Sequence, residues 1–170
     1  MAVWFWEFLF FSFLGYLLEK LYAALTAANR QNRKSFFLLP LCPVYGLSVA
    51  LALYLRQQGF PDLFLLALPT FAEYALHLYY HHIYSVQYWD YGDVWGNLCG
   101  RIALPFSLCW EVLLPPALYW AQALFPRLAA VPPGMSYGVW LFFFVDFIAS
   151  RLCLLHRHDT EALHIKTLFL

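Results

Sequence analysis

The sequence has 170 residues, of which 63% are hydrophobic, 21% aromatic and only 12% charged. A soluble domain carries about a quarter charged residues, because its surface must be solvated, so this composition predicts a chain surrounded by lipid. Ten acidic and ten basic residues cancel, and no net field favours nucleic acid. The four cysteines show no C-x-x-C spacing and are interpreted as small apolar fillers.

Five apolar windows follow one another along the chain, each close to the roughly 20 residues that a membrane-spanning helix needs. They cover residues 2–24, 37–55, 63–84, 104–124 and 136–155. The linkers are too short for a soluble domain, and a short tail remains at 156–170. The sequence therefore predicts one integral membrane domain over 1–170, an all-α polytopic bundle of five transmembrane helices.

Basic residues predict how the bundle is oriented. By the positive-inside rule, their distribution places the N-terminus outside and the C-terminus, with its tail, in the cytoplasm. The outer loops receive only Arg56 and Arg127, and the inner side receives Arg30, Arg33, Lys34, Arg101, Arg157 and Lys166. We expect a multi-pass protein in direct contact with the lipid bilayer.

Prolines predict irregularity in two of the helices. Pro69 lies inside the third window and the Pro115–Pro116 pair inside the fourth, so both helices are expected to be kinked or locally unwound. Residues 13–22 and 71–80 share four residues at matching places. This match is compatible with a tandem two-helix repeat followed by a fifth helix, and it is equally compatible with chance.

Several titratable or charged side chains lie within or at the edges of the windows. Such groups are expensive in lipid, so we expect them to face the bundle interior with a partner. A pair of Glu19 or Glu111 with Arg101 would provide one. Two roles stay open, contact with a substrate and ion pairing that only holds the helices together. The residues are Glu19, Glu73, His77, Glu111, Asp146 and Arg151. Glu7, near the outer end of the first window, is instead expected to reach the interface without a special role.

The third window carries Glu73, His77 and His81 at intervals of four residues, which places them on one stripe of a helix. Imidazole titrates near neutral pH and ligates metals, so a proton relay, a substrate contact and a metal site are conceivable. A polar packing seam between helices is the alternative. No H-E-x-x-H pattern supports a metal, and we predict neither a metal nor a cofactor.

The stretch "YWDYGDVWGNLCGRI" (88–102) gathers polar side chains before the fourth window, in a loop that the predicted topology places at the cytoplasmic interface. Its aromatic residues suit the headgroup layer. Asp90, Asn97 and Arg101 remain as candidates that either lock the start of the fourth helix or contact a ligand.

Elsewhere the sequence has no G-x-x-x-x-G-K-[ST] loop and no G-x-S-x-G elbow, so no catalytic residue is assigned.

Six segments occur in an order that resembles a family of small bacterial membrane proteins, the putative ABC-transporter type IV or permease-like family. The resemblance covers about residues 10–115, and its most specific part is W-D-Y followed by N-x-x-G-R-I. The segments are "GYLLEKLY" (15–22), "PLCPVYG" (40–46), "EY" (73–74), "YWDY" (88–91), "NLCGRI" (97–102) and "FSLCW" (106–110).

Residues of the family pattern are carried over by position, with two departures. This chain has His81 where relatives tend to carry a second glutamate, which puts in doubt a mechanism that needs that carboxylate, and it has Leu39 where they tend to have glycine. The matching positions are Glu19, Cys42, Pro43, Tyr45, Gly46, Glu73, Trp89, Asp90, Tyr91, Asn97, Gly100 and Arg101.

The resemblance implies a permease-like component of a transport system in the bacterial inner membrane, working with a separate ATP-binding subunit. It names no substrate. Two alternatives stay open. One is a membrane-embedded enzyme acting on a lipid or headgroup, with Asp90 as a base and Arg101 as a phosphate clamp. The other is a scaffold or regulatory subunit of another membrane complex. A homo-oligomer is compatible with each.

Overall fold

The computed structural model describes residues 2–26 and 35–163, which form a helical bundle. Arg30, Arg33, Lys34 and Lys166, on which the predicted orientation partly depends, lie outside the described residues, as does the tail beyond 163. The helices are α1 (Ala2–Leu25), α2 (Pro43–Gln57), α3 (Asp62–Leu66), α4 (Leu68–Tyr84), α5 (Leu104–Ala129) and α6 (Pro133–Arg157), followed by a 3₁₀ turn at Thr160–Leu163. Two short strands, β1 (Asn97–Leu98) and β2 (Ile102–Ala103), pair antiparallel between α4 and α5.

The predicted all-helical class is confirmed. Within the described residues, α1 and α6 are long and apolar enough to cross a membrane. The count of five transmembrane helices stays a prediction. The helices α2 and α4 have 15 and 17 residues, fewer than the roughly 20 that a complete span needs.

The second window begins differently from the prediction, because residues 35–42 are irregular and α2 starts only at Pro43. A proline is favourable at a helix start, where its missing N–H would have no partner in any case. Side chains of α6 accept hydrogen bonds from the irregular backbone that precedes α2. The Leu38 amide donates to Ser150 Oγ at 2.9 Å, and the Leu39 amide donates to Asp146 Oδ1 at 3.0 Å. Irregular backbone that is buried away from water requires such protein partners.

The third window is divided, as its internal proline indicated. Helix α3 ends at Leu66, Ala67 lies between the two helices, and α4 begins at Leu68 with Pro69 in its first turn. Proline cannot donate to the carbonyl four residues earlier, so the helical hydrogen-bond pattern is interrupted here, although Ala67 keeps right-handed helical backbone with φ −76° and ψ −17°. By contrast, α5 is assigned as one continuous helix through Pro115 and Pro116.

Helices α1 and α2 pack tightly against each other. Gly46 of α2 lies so close to α1 that an added Cβ would be 2.2 Å from Ser12 Oγ and 2.3 Å from the Phe8 carbonyl oxygen. Small residues at a crossing let two backbones approach, which is the usual basis of helix association in lipid. Helix α2 also packs against α4 and α5, so it lies centrally between the elements that carry the predicted polar residues.

The loop between α4 and α5 is folded into a compact hairpin. Its strands pair Asn97 with Ala103 and Leu98 with Ile102. The turn needs left-handed backbone at Cys99 and Gly100, whose φ values are 52° and 69°. The chain passes from the hairpin directly into the first turn of α5. The hairpin therefore fixes the position of the end of α5 that contributes to the site.

Candidate functional site

Two glutamates from different helices accept hydrogen bonds from aromatic side chains and line the same cavities. Tyr45 on α2 donates its hydroxyl to Glu19 Oε1 on α1 at 2.8 Å. Tyr91 from the hairpin donates to Glu73 Oε1 on α4 at 2.8 Å, and the Trp110 indole of α5 donates to Glu73 Oε2 at 3.2 Å. These five residues are called the glutamate cluster. The two phenols and the indole are neutral donors that orient the carboxylates.

Packing at Gly15 places Tyr45 in the glutamate cluster. A Cβ added at Gly15 would lie 2.3 Å from the Tyr45 ring, so only glycine leaves room for it. Because Gly15 and Glu19 are one helical turn apart on the same face, a ring lying against the glycine brings its hydroxyl to the carboxylate. The Tyr45 ring also packs against Trp110, with ring centroids 4.5 Å apart.

The hairpin positions Tyr91. The Tyr91 amide donates to the Gly100 carbonyl at 2.8 Å, and the Trp89 indole donates to the Arg101 carbonyl at 2.7 Å. The Tyr91 ring is stacked on Phe106 of α5 at a centroid distance of 4.6 Å. Tyr91 is 1% exposed, so its hydroxyl needs an acceptor, and Glu73 supplies one.

Two cavities adjoin the glutamate cluster. The larger has a volume of about 200 Å³, and the smaller, about 20 Å³, has room for roughly one water molecule. Both are lined by Glu19, Tyr45, Glu73 and Trp110. Aromatic side chains provide much of the remaining wall, among them Tyr22, Tyr91 and Phe106 on the larger cavity and Tyr16, Phe36, Tyr88 and Trp89 on the smaller.

Tyr88 contributes a polar atom to the smaller cavity. Its hydroxyl oxygen is buried and has no hydrogen-bond partner among the described residues. Burial raises the pKa of the Tyr88 hydroxyl well above its ordinary value, so the group stays protonated at neutral pH. The Tyr88 ring is stacked on Phe36 at 4.1 Å, which holds it in place.

The predicted stripe on the third helix is only partly internal. Glu73 and His77 are each 5% exposed, whereas His81 is exposed. With 3.6 residues per turn the buried stripe drifts, and it continues along α4 through Tyr80 and Tyr84 instead. The His77 ring lies 5.5 Å from the Trp89 ring. No group of three His, Cys, Asp or Glu side chains suited to a metal occurs in residues 2–26 and 35–163.

Asp90 and Asn97 bind the hairpin's own backbone. Asp90 Oδ1 accepts from the Gly92 amide at 2.8 Å, and Asn97 Oδ1 accepts from the Gly100 amide at 3.1 Å. The Asn97 side-chain amide also donates to the carbonyls of Gly92 and Val94, at 3.0 and 2.9 Å. Both side chains are exposed. These contacts stabilise the hairpin itself, and a lock on the start of the fourth helix and a ligand contact both stay predictions.

Arg101 contacts Tyr74 on α4. Its Nη1 donates to the Tyr74 hydroxyl at 3.3 Å, and the guanidinium lies 5.6 Å from the centre of that ring. Ion pairing of Arg101 with Glu19 or Glu111 stays a prediction. The expectation that Glu111 faces the interior is wrong, since its side chain is exposed. Helix α5 buries the stripe of Trp110, Leu114, Leu118 and Ala121, and the residue after Trp110 points about 100° away from it.

Asp146 and Arg151 on α6 lie apart from the glutamate cluster and bind the irregular segment 35–42. Asp146 is 8% exposed and accepts from the Leu39 amide. Arg151 is 7% exposed and donates from Nη2 to the Phe36 carbonyl at 3.1 Å. The Arg151 guanidinium lies 4.8–5.5 Å from the centres of four aromatic rings, which belong to Phe37, Tyr80, Tyr84 and Phe147.

Sequence reasoning missed Tyr45, Tyr91 and Trp110 as partners of the glutamates. Tyr91 was assigned to the headgroup layer, and Trp110 was noted only as part of a segment. One signal was available, because buried tyrosine and tryptophan place their single donor against an acceptor, and the windows contain few acceptors other than the glutamates.

A comparison with known protein families identifies the family of this chain. A family model described as putative ABC-transporter type IV matches residues 6–152. The chain belongs to this family. No curated protein and no solved structure matches it. Family membership and the two long apolar helices identify a transport-related membrane protein, and the family match extends past the glutamate cluster to include most of α6.

Proposed function

We propose that this member of the type IV family is the membrane-embedded, permease-like subunit of a transport system, and that a separate subunit binds ATP. The observation that carries the proposal is the pair of carboxylates, Glu19 and Glu73, buried on two helices beside a cavity of about 200 Å³. Ionisable residues inside a membrane domain are expensive and commonly mark a substrate pathway. The family match supports a role in transport.

The proposed arrangement in the bilayer has five spans, with the N-terminus outside and the C-terminus in the cytoplasm. The irregular segment 35–42 and α2 together form the second span, and α3 and α4 together form the third. Reporter fusions after Arg56 and Arg127 should report the outer side, and a fusion after Arg157 should report the cytoplasm. A cytoplasmic signal after Arg56 would contradict this topology.

Co-purification tests the transport role. The tagged chain is extracted from its native membrane in mild detergent, and its partners are quantified by mass spectrometry. We expect an ATP-binding subunit in near-equal amounts, with ATP hydrolysis that depends on this chain. Recovery of another membrane complex without an ATPase would favour the scaffold alternative. Alteration of lipid by the purified chain alone would favour the enzyme alternative.

A carboxylate variant connects the site to the function. Glu73→Gln keeps the size of the side chain and removes its charge, so we expect the ATP-binding subunit to remain bound while transport-coupled hydrolysis falls. Glu111→Gln is the matched control, because it makes the same change at an exposed position of α5. Equal activity of the two variants would remove the glutamate cluster from the mechanism.

A further inference from the structure

We propose that Glu7 of α1 is a proton-binding site, and that release of its proton opens one end of the bundle. The site lies outside the glutamate cluster and does not depend on the proposed transport role. The proposal follows from the burial of the carboxyl group, from its lack of a partner and from the helices and the cavity at this end of the bundle.

Glu7 lies inside the protein rather than at the water interface. Its side chain is 0% exposed, so the expectation that it reaches the interface is wrong. It lies five residues after Ala2, roughly 8 Å along the axis of α1. The carboxyl is therefore enclosed by protein, on a helix that is long and apolar enough to cross a membrane.

The Glu7 carboxyl has no partner that could stabilise a negative charge. Neither of its oxygens has a hydrogen-bond partner among the described residues, and no ion pair in that part of the chain includes it. An isolated carboxylate is among the most costly groups to bury, and it takes up a proton instead. Within residues 2–26 and 35–163 no group of three His, Cys, Asp or Glu is suited to a metal, which favours a proton as the occupant.

Three other helices pack around α1 on both sides of Glu7. At this end of the bundle, called the Trp4 end, α1 and α6 begin and α2 and α5 end. A charge at Glu7 could be solvated only if water entered between these helices, so loss of the proton requires that the Trp4 end opens. The contacts that close it join Trp4 to Tyr54 of α2 at 6.2 Å and to Phe125 of α5 at 5.9 Å, and the Trp6 indole to Ser136 Oγ of α6 at 3.0 Å.

Charged and titratable side chains of the neighbouring helices do not compensate Glu7. Among the described residues none of them forms a hydrogen bond or an ion pair with its carboxyl. Arg56 pairs with Asp62 at 3.0 Å, and Asp146 accepts from the Leu39 amide. The side chains of this kind are Tyr54 and Arg56 on α2, Asp62 on α3, Tyr119 and Arg127 on α5, and Tyr137 and Asp146 on α6.

A cavity at the Trp4 end provides a route for water. Its volume is about 360 Å³, and it lies between the ends of α2 and α5. Trp4 is one helical turn before Glu7, and its ring packs against Phe125, so displacement of Trp4 would open the cavity toward the carboxyl. The cavity is lined by Leu53, Arg56, Gln57, Gln122, Phe125 and Pro126.

Infrared difference spectroscopy tests whether Glu7 holds a proton. Spectra of the wild-type chain and of Glu7→Gln in lipid nanodiscs are subtracted at neutral pH. We expect a carboxylic-acid band that Glu7→Gln lacks. Asp62→Asn is the control and should leave that band unchanged, because Asp62 is exposed and bound to Arg56. Carboxylate bands in place of the acid band would overturn the proposal.

Cysteine alkylation tests whether release of the proton opens the Trp4 end. Ala121 of α5 is 0% exposed and precedes Gln122 in the cavity wall. Alkylation of Ala121→Cys by N-ethylmaleimide is followed by peptide mass spectrometry, with Glu7 intact and in a Glu7→Gln background, which corrects for the pH dependence of the thiol itself. If each opening releases one proton, the ratio of the two rates should rise about tenfold per pH unit.

Two outcomes of the alkylation experiment would overturn the proposal. One is a rate ratio that does not change with pH, because opening would then release no proton. The other is slower alkylation in sodium than in potassium at fixed pH, which would assign the site to a metal ion. The unfolding midpoint shows whether each variant is folded. If Glu7→Gln is unfolded, Glu7→Met takes its place in both experiments, since it removes the unpartnered polar group at similar size.

Discussion

The ring of Tyr45 occupies the space that a side chain on Gly15 would need. An added Cβ at Gly15 would lie 2.3 Å from that ring, and the hydroxyl at the ring's far end donates to Glu19 at 2.8 Å. Gly15 therefore determines whether Tyr45 of α2 can reach Glu19, which lies one helical turn after Gly15 on α1.

Gly15→Ala should therefore destabilise the bundle and displace Tyr45. Overpacking of a tight contact costs about 1–3 kcal/mol, and part of the Tyr45–Glu19 hydrogen bond is lost with it. The thermal unfolding midpoint in mild detergent measures the effect. Gly138→Ala is the control, since no atom lies within 4 Å of its added Cβ, and it should be neutral or slightly stabilising. A midpoint for Gly15→Ala at or above that of Gly138→Ala would contradict the packing argument.

Tyr91→Phe should lower the free energy of unfolding by about 1.5–3 kcal/mol, the usual range for a hydrogen bond to a charged group. Its hydroxyl is buried and donates to Glu73 at 2.8 Å. Tyr119→Phe, at a 69% exposed position of α5, makes the same change where no such bond is at stake. The free energies of unfolding of the two variants are compared from their unfolding curves. Equal losses in both would show that the hydrogen bond of Tyr91 contributes nothing to stability.

Arg151→Lys should destabilise the chain although it keeps the charge. Lysine replaces a planar guanidinium surrounded by four rings with a compact ammonium that stacks poorly, which we expect to cost roughly 1–2 kcal/mol. Arg56→Lys is the control, because Arg56 forms an exposed pair with Asp62 at 3.0 Å, and surface pairs contribute about 0–1 kcal/mol. The prediction fails if both changes shift the unfolding midpoint alike.

Gly100→Ala should open the hairpin. Its φ of 69° disfavours a side chain, and the added Cβ would lie 2.6 Å from Asp90 Oδ1. Gly59→Ala separates the backbone strain from the steric clash, since Gly59 has a φ of 85° and open space around it. An alanine with left-handed backbone costs roughly 1–2 kcal/mol. We expect Gly59→Ala to lower the free energy of unfolding by about that amount and Gly100→Ala to lower it further. Hydrogen exchange of the hairpin amides reports the opening, and no faster exchange in Gly100→Ala would refute the role assigned to this turn.

Hydrophobic windows and prolines in the sequence predicted the helical class and where the third helix is interrupted. They did not predict the late start of α2. Residues 37–42 are as apolar as a helix, and their irregular backbone is stabilised from α6, where Ser150 and Asp146 accept the amides of Leu38 and Leu39. Periodicity along one segment carries no information about acceptors more than 100 residues away.

The candidate site was predicted in part. The free-energy cost of a charge facing lipid predicted that Glu19 and Glu73 lie inside the bundle, and both are buried. It placed Glu111 inside as well, because a single charge in an apolar helix does not reveal which face that helix buries. For Asp90 and Asn97 the sequence left open a locking role and a ligand contact; their oxygens accept from the amides of Gly92 and Gly100, and a ligand contact stays a prediction.

The contact between segment 35–42 and α6 also has a consequence for biogenesis. The Leu38 and Leu39 amides are bound by Ser150 and Asp146, 112 and 107 residues later in the chain. During synthesis at the membrane these acceptors do not yet exist when the segment leaves the ribosome. We expect the segment to stay near the water interface, where water can satisfy its amides, until α6 is in place. Assembly of the bundle should therefore end with its last long helix.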